Sequence, residues 1–552
     1  MPGLIHKTIG QLLDEVAGKY PENDAVVFPN RKLRYSYEDF NRHCQQVAKG
    51  FMKLGLEKGD HLAVWTSNQP EWLSAQFATG KMGAVLVTVN TNFQTAELEY
   101  LLSHSDSTTL ILMESYKGTS YVDMLYEIVP ELKTSEPGKL QSKSLPFLKN
   151  VVILGEKRFP GMFLWSDIMR LGLEIDDQTF ARRQAELQPD DVINMQYTSG
   201  TTGYPKGVML SHYNLINNAN SIATCMKLTE KDRLCIPVPF FHTFGCVLGT
   251  LTSVTAGTTM VIVEEFQAEQ VLEAIEAEKC TALHGVPTMF IAELNHPDFE
   301  KYDLTSLRTG IMAGSTCPIE VMKAVTEKMG AKEITIAYGQ TESSPVITQT
   351  RTNDPLEIRV ATVGRALPNV EVKIVEPGTN REVPSDVEGE LCTRGYHVMR
   401  GYYKNEKGTR EAIDDEGWLH TGDLAVLDKY GYCRIVGRLK DLIIRGGENI
   451  YPREIEEYFY QHPKVLDVQV VGVPDEFFGE EAMAWVILKE NETASEVEIK
   501  EYFKRKISRQ KIPRYIQFCE GFPLTASGKI QKFKLRQMGL ELINARVLKG
   551  ES

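Results

Sequence analysis

Residues 198–207 read TSGTTGYPKG: Thr198, Ser199, Gly200, Thr201, Thr202, Gly203, Tyr204, Pro205, Lys206 and Gly207. Glycines let a backbone turn with positive φ and bring its N–H groups close to a bound anion. Thr198, Ser199, Thr201 and Thr202 add hydroxyl donors, and Lys206 adds a point charge suited to phosphate. A solvated Gly/Ser/Thr surface loop has the same composition. The apolar run VINMQY before the loop and the helix-like stretch VMLSHYNLINNANSIA after it favour a phosphate cradle. The loop is not a Walker A motif, because Pro205 precedes Lys206 and Gly207 stands where the metal-binding Ser/Thr would be.

On both sides of this loop, strand-like and helix-like stretches alternate. Phe40, Cys44, Val47, Phe51 and Leu54 lie on one helical face, with Ser36 as the expected cap. HLAVWTSN, AVLVTVN and TTLILM are expected strands, with helices through PEWLSAQFATGKMG and TAELEYLLSHSD between them. RLCIPVPF, TTMVIVEEF, TALHGVP, LRTGIMAG and EITIAYGQTE continue the alternation, which predicts a layered α/β domain with parallel strands. From 362 to about 437 the strands are broken by Gly, Pro, Asn and Asp, the pattern of an antiparallel subdomain. After 438–441 the texture becomes compact α+β, so the chain divides into 1–438 and 439–552. Residues 114–149 are polar and weakly patterned, and read as a partly helical connection.

The balance of 61 basic against 74 acidic residues gives a net charge of −13, which disfavours a nucleic-acid partner. The nine cysteines show no CxxC spacing and point to a reducing compartment. HExxH and G-x-S-x-G motifs are absent, against a zinc protease or a serine hydrolase. No apolar run reaches the roughly 20 residues of a bilayer span. The N-terminus has helical spacing at Ile9, Leu12, Leu13 and Val16 with acids already at Asp14 and Glu15, unlike a targeting peptide. Cytoplasmic is therefore the default location. The oligomeric state is left open, a homodimer being one outcome.

TSGTTGYPKG resembles the signature of the adenylate-forming superfamily: acyl-CoA synthetases, luciferases and peptide-synthetase adenylation domains. Further motifs follow in that family's order over nearly the full length, closest to its medium-chain fatty acyl-CoA synthetases. The resemblance implies a large adenylation domain and a small mobile C-terminal domain. AYGQTE (337–342) matches the motif that meets the nucleotide. It implies Tyr338 against the adenine, with Gly339 and Gln340 beside it, Thr341 on the α-phosphate, and Glu342 holding Mg2+ together with Thr201. AGSTCP (313–318) resembles the adenine-pocket loop and implies Gly314, Ser315 and Thr316. HTGDL (420–424) implies Asp423 on the ribose hydroxyls, a fitting task for a carboxylate. Arg438 and Ile435 are implied at the same nucleotide. FFHTFG (240–245) places His242 beside the acyl site, and PLTASGKIQK (523–532) carries Lys529 at the family's mobile catalytic lysine. The resemblance puts the hinge at Lys440 and the CoA-facing segment at Arg445, Gly446, Gly447 and Glu448.

What the resemblance implies is a ligase using ATP, Mg2+ and CoA. The carboxylate attacks the α-phosphate of ATP, pyrophosphate leaves, and a thiol then takes the acyl group from the adenylate. Lys206, Lys529 and Thr341 are the groups implied to hold the charge of the first step. A ligase loading a carrier protein is an alternative, as is a non-enzymatic protein on the same scaffold. The acid is expected to meet Phe241, His242, Phe244, Val286, Met289, Gly339 and Val346. Gly339 stands where acetate-specific members carry tryptophan, which predicts open space there. The apolar wall offers no charge for an amine or second carboxylate. The expectation is a monocarboxylate of about six to ten carbons, linear, alicyclic or aromatic.

Overall fold

A computed structural model describes residues 3–198, 205–315, 317–439, 441–446, 448–475, 477–504, 507, 509–525 and 528–548, with backbone alone at 448, 449 and 545–548. The expected layered α/β body is present as two large sheets. One has nine strands, and its central five (Thr259–Ile262, Arg233–Ile236, Ala282–Gly285, Thr309–Met312 and Glu333–Gly339) are mutually parallel. The other has eight, with parallel neighbours Val192–Thr198, Val85–Thr88, His61–Trp65, Thr109–Leu112 and Asn150–Ile153. Helices Pro70–Met82 and His212–Met226 are buried along nearly their whole length, as helices enclosed by other layers must be. The helix predicted from Phe40, Cys44, Val47 and Phe51 runs Tyr37–Lys53, and Ser36 caps it by accepting from Asp39 N at 3.1 Å.

Asn68, buried just beyond strand His61–Trp65, ties the two sheets together. Its Nδ2 donates to Val238 O at 3.0 Å and Val263 O at 3.2 Å, and its Oδ1 accepts from Phe240 N at 2.8 Å. Those backbone groups follow the ends of Arg233–Ile236 and Thr259–Ile262, so one amide fixes the approach to His242. Ligands in open α/β sheets bind outside the carboxyl ends of the strands, and this is the end that Asn68 orders.

The stretch after the phosphate loop departs from the sequence reading. Residues Lys206–Ser211 form a strand, antiparallel to Val192–Thr198 with Thr198 opposite Lys206. The helix begins only at His212. Val208 and Leu210 are buried, and Ser211 ends the strand by accepting from Asn214 N at 3.2 Å. Helical capping, rather than apolar spacing, sets this boundary. The weakly patterned segment also contributes core: Tyr121, on helix Tyr121–Ile128, stacks on Trp65 with ring centroids 3.5 Å apart.

Four antiparallel strands, Val370–Val375, Glu388–Gly395, Leu419–Leu427 and Cys433–Arg438, make the expected subdomain. A smaller five-stranded sheet follows, built around the hairpin Val465–Asp475 and Gly479–Leu488 and packed with its own apolar clusters. The helix Lys532–Leu548, which the sequence reading did not anticipate, packs through Leu535 beside Val473, Met483 and Trp485.

Candidate active site

Lys529 lies where the large and small domains meet. The turn before it is closed by Gly528 N to Thr525 O at 3.0 Å and Lys529 N to Thr525 Oγ1 at 3.0 Å, with Gly528 at φ +78°. Gly528 O accepts from Thr288 Oγ1 at 3.3 Å, which seats the turn on helix Pro287–Leu294 of the large domain. The Lys529 side chain then reaches His242, Nζ to Nε2 3.4 Å. Burial first, and the Arg438 charge second, pull the ammonium down to about 8, while Glu342 opposes them. His242 Nδ1 accepts from Phe244 N at 3.1 Å, and burial holds the imidazole well below its ordinary value.

Asp423 and Arg438 are cross-strand partners in the antiparallel sheet. Arg438 Nε donates to Asp423 Oδ1 at 3.1 Å, and Tyr338 Oη donates to Oδ2 at 2.6 Å. Each carboxylate oxygen has a second lone pair, so Asp423 can still accept from a diol. Glu390 braces the turn before Asp423: its Oε1 accepts from Gly422 N at 3.0 Å and its Oε2 lies 3.1 Å from His420 Nδ1. Glu390, Cys392 and His420 have metal-ligating atoms within 4.8 Å of one another. The Glu390 carboxylate is already shared between Gly422 and His420, and Lys373 stands opposite Cys392 in the neighbouring strand, so this group reads as a brace.

Thr341 and Glu342 form the short turn Thr341–Ser343 at the end of Glu333–Gly339, with Gln340 as its cap. Glu342 Oε1 accepts from Tyr402 Oη at 2.8 Å, and Lys206 Nζ stands 4.7 Å from the centroid of the same Tyr402 ring. A hard carboxylate oxygen in this setting suits Mg2+, which prefers one or two carboxylates completed by substrate phosphate and water. Tyr402 and Glu390 were missed by the sequence reading. The GYY and GEL contexts carry no spacing signal for contacts made across sheets.

Of the residues expected at the acyl group, Val286 and Met289 lie beside Gly528, and Val286 also faces Gly314. Phe244 is joined to His242 and lies 5.6 Å from the His284 ring. Phe244, Val286, Met289 and Val346 are buried, whereas Phe241 is only partly covered. The expected open space does not lie in the direction a side chain on Gly339 would take, although Gly339 itself is exposed. A Cβ on Gly339 would meet Pro345 O at 1.9 Å, because the strand pairs with Val346–Gln349 at this point. Gly339 is needed for backbone approach and does not enlarge the pocket by lacking a side chain.

Gly314, at φ +93°, would bring a Cβ to 3.3 Å from Lys529 Cε, so this loop faces Lys529, with exposed Ser315 next in the chain. Ile435 presents its carbonyl to Arg453 Nη1 at 2.9 Å. Arg445 and Gly446 are not brought to this site. Arg445 pairs with buried Glu481 at 2.8 Å and lies over the Phe478 ring at 3.8 Å, and Gly446 N donates to Phe478 O at 2.8 Å. Ser199, Gly200, Thr201, Thr202, Gly203, Thr316, Lys440 and Gly447, and the side chain of Glu448, lie outside the described residues.

The family model described as AMP-binding enzyme matches residues 13–403, and that described as AMP-binding enzyme C-terminal domain matches 454–529. YngI of Bacillus subtilis (strain 168), assigned by its name to the acyl-CoA synthetases, is 62% identical over 544 residues, covering 99% of each chain. The mitochondrial medium-chain acyl-CoA ligase of Rattus norvegicus is 43% identical over 540 residues, 97% of this chain and 88% of that one. Among solved structures, an anthranilate CoA ligase in complex with anthranoyl-AMP has a TM-score of 0.85 at 26% identity, covering 99% of both chains. ATP-bound MatB from Rhodopseudomonas palustris has a TM-score of 0.82 at 27% identity, covering 96% of this chain and 98% of that one. No described helix is long and apolar enough to cross a membrane.

Proposed function

Because the chain belongs to the AMP-binding enzyme family, we propose that it joins a medium-chain monocarboxylate to CoA through an acyl-adenylate, using ATP. A carboxylate lacks a good leaving group, and attack of its oxygen on the α-phosphate supplies one as pyrophosphate departs. Nucleotidyl transfer depends mainly on positioning and on neutralising charge. Lys529, Lys206 and Thr341 are assigned to the phosphates, Asp423 and Arg438 to the ribose, and Tyr338 to the adenine. Glu342 would hold Mg2+, whose bound charge would offset that of the phosphates. In the second half-reaction the CoA sulfur attacks the adenylate carbonyl and AMP leaves.

The observation that carries this reading is the 3.4 Å approach of Lys529 Nζ to His242 Nε2, which brings a C-terminal lysine into the large domain's site. Arg445 and Gly446 are engaged elsewhere, on Phe478 and Glu481. We assign the present arrangement to adenylation. A rotation about Lys440 would then withdraw Lys529 and present residues 445–448 for CoA. Only a few terminal residues need absorb such a change. A reducing compartment such as the cytoplasm fits the nine unpaired cysteines, eight of them buried.

The buried apolar set of Phe244, Val286, Met289 and Val346 supports an unbranched or cyclic hydrocarbon acid. The curated relatives named for medium-chain acids point the same way. ATP–pyrophosphate exchange, measured with a carboxylate panel in the absence of CoA, tests the reading. Exchange should need the acid alone, and net AMP release should need CoA as well. Net AMP release that needs a carrier protein in place of CoA would favour the alternative ligase.

A further inference from the structure

Tyr402 connects two parts of the site that come from different sheets. The strand Gly401–Tyr402 is the edge of the eight-stranded sheet and pairs with Lys206–Ser211, Tyr402 opposite Val208. Tyr403 N donates to Gly207 O at 2.8 Å and Arg400 N to Met209 O at 2.9 Å, so the segment is fixed beside the strand that carries Lys206. Three residues earlier, Met399 N donates to Glu342 O at 2.9 Å, which holds the same segment to the turn following the nine-stranded sheet. From this double anchorage the largely buried Tyr402 side chain points its hydroxyl to Glu342 Oε1 at 2.8 Å and its ring face to Lys206 Nζ at 4.7 Å.

We infer that Tyr402 is the positioning residue that sets the Glu342 carboxylate and the Lys206 ammonium at a fixed separation, so that the metal-bound triphosphate meets both at once. This rests on the functional reading above. The phenol is suited to the task. Its hydroxyl donates to one carboxylate oxygen and leaves the other for a cation, while its ring attracts an ammonium without neutralising it. A second carboxylate at this point would bind the lysine directly and withdraw it from phosphate.

The test uses the full chain and the variants Tyr402→Phe, Glu342→Gln and their combination. Mn2+ binding is titrated by electron paramagnetic resonance with α,β-methylene-ATP present and no acid, so the readout does not depend on turnover. Tyr402→Phe should keep the wild-type circular dichroism and weaken Mn2+ about ten- to a hundredfold, the loss of one hydrogen bond to a charged group. The Mg2+ needed for half-maximal ATP–pyrophosphate exchange should rise by the same factor. CoA-dependent consumption of supplied acyl-adenylate should stay within about twofold of wild type. Adding Tyr402→Phe to Glu342→Gln should cost nothing more, because the tyrosine acts through the glutamate. Tyr402→Leu, which also removes the ring, should weaken the ATP analogue beyond the Phe variant. Unchanged Mn2+ affinity in Tyr402→Phe, an additive double variant, or equal loss of both half-reactions would each overturn the inference. A wild-type protein that exchanges no pyrophosphate with any acid would instead defeat the functional reading.

Discussion

Lys529 Nζ and His242 Nε2 lie 3.4 Å apart, yet neither offers the other an acceptor while the lysine is charged. His242 Nδ1 already accepts from Phe244 N, so the neutral imidazole carries its proton on Nε2. The contact is therefore relaxed only when the lysine is an uncharged amine. Arg438 adds a second like charge. An anion placed here would relieve both contacts on Lys529.

Proton uptake on ATP binding follows from this. The ammonium sits at about 8 in the free protein. Phosphate charge raises it, and a group whose pKa rises on binding takes up protons in the interval between the two values. Near pH 8 the uptake should approach about half a proton per ATP, falling toward zero below pH 6.5. Calorimetric titrations in buffers of different ionisation enthalpy measure it directly. Lys529→Ala should abolish the uptake, and ATP affinity should weaken as pH rises through 8. Equal heats in all buffers at pH 8 would contradict the assignment.

In the proposed reading the same lysine separates the two half-reactions. Lys529→Ala should lower acyl-adenylate formation by at least about a hundredfold, the scale of losing one preorganised charge at a developing anion. Thioester formation from supplied adenylate should be spared, because that step is assigned to the arrangement with Lys529 withdrawn. A variant that loses both steps equally would show that the lysine does more than adenylate.

Much of this is legible in the sequence. The apolar spacing of Phe40, Cys44, Val47 and Phe51 and the Ser36 cap describe one local event, a helix burying one face. The family resemblance implied Lys529, Asp423, Arg438 and Glu342 at one site: Arg438 Nε lies 3.1 Å from Asp423 Oδ1, and the charges of Arg438 and Glu342 act on Lys529. The strand Lys206–Ser211 was hidden because its apolar residues run straight into those of the following helix. The Ser211–Asn214 capping pair was the available signal. Asn68, Glu390 and Tyr402 left no trace in periodicity, since each acts on backbone or side chains brought close only when sheets pack.

Gly339 is where expectation and structure part most clearly, and the difference is measurable. Pro345, just before the strand Val346–Gln349, places a carbonyl oxygen 1.9 Å from a Cβ at this position. Overpacking costs roughly 1–3 kcal/mol where side chains can yield, and a backbone carbonyl yields less. Gly339→Ala should already disturb the adjacent Tyr338 and, two residues on, Thr341. Gly339→Trp should lose exchange with acetate, hexanoate and octanoate alike, with no shift of preference toward acetate. Robust acetate exchange by the tryptophan variant would show that this hairpin opens freely.

Asn68 carries a prediction about stability. Its side chain satisfies Val238 O, Val263 O and Phe240 N inside the protein. Asn68→Ala leaves three buried backbone groups unpaired, at about 1–3 kcal/mol each before relaxation or entry of water. A net loss of roughly 3 kcal/mol is expected, seen as a lower thermal midpoint at a fixed scan rate. Asn68→Asp keeps an acceptor for Phe240 N but sets a buried carboxylate oxygen against Val238 O and Val263 O, and should lose at least as much as Asn68→Ala. An unchanged midpoint in Asn68→Ala would mean that the sheets are held in register without it.

The acid itself gives the last prediction. Phe244, Val286, Met289 and Val346 are buried and apolar, and Lys529, which faces Gly314 together with Val286, is committed to phosphate in this reading. An alkyl chain entering such surroundings gains about 0.8 kcal/mol per buried methylene, or roughly a fourfold rise in kcat/KM for each carbon added. From propionate upward the logarithm of kcat/KM should climb linearly, then flatten where the pocket ends, at about six to ten carbons. A dicarboxylate of plateau length should fall far below the matching monocarboxylate, because its second charge would be buried without a partner. Val286→Phe, on the wall that also faces Gly314, should move the plateau to shorter acids while short-chain rates persist. A flat profile from acetate to decanoate, or a preference for the dicarboxylate, would place the acyl chain somewhere other than among these four side chains.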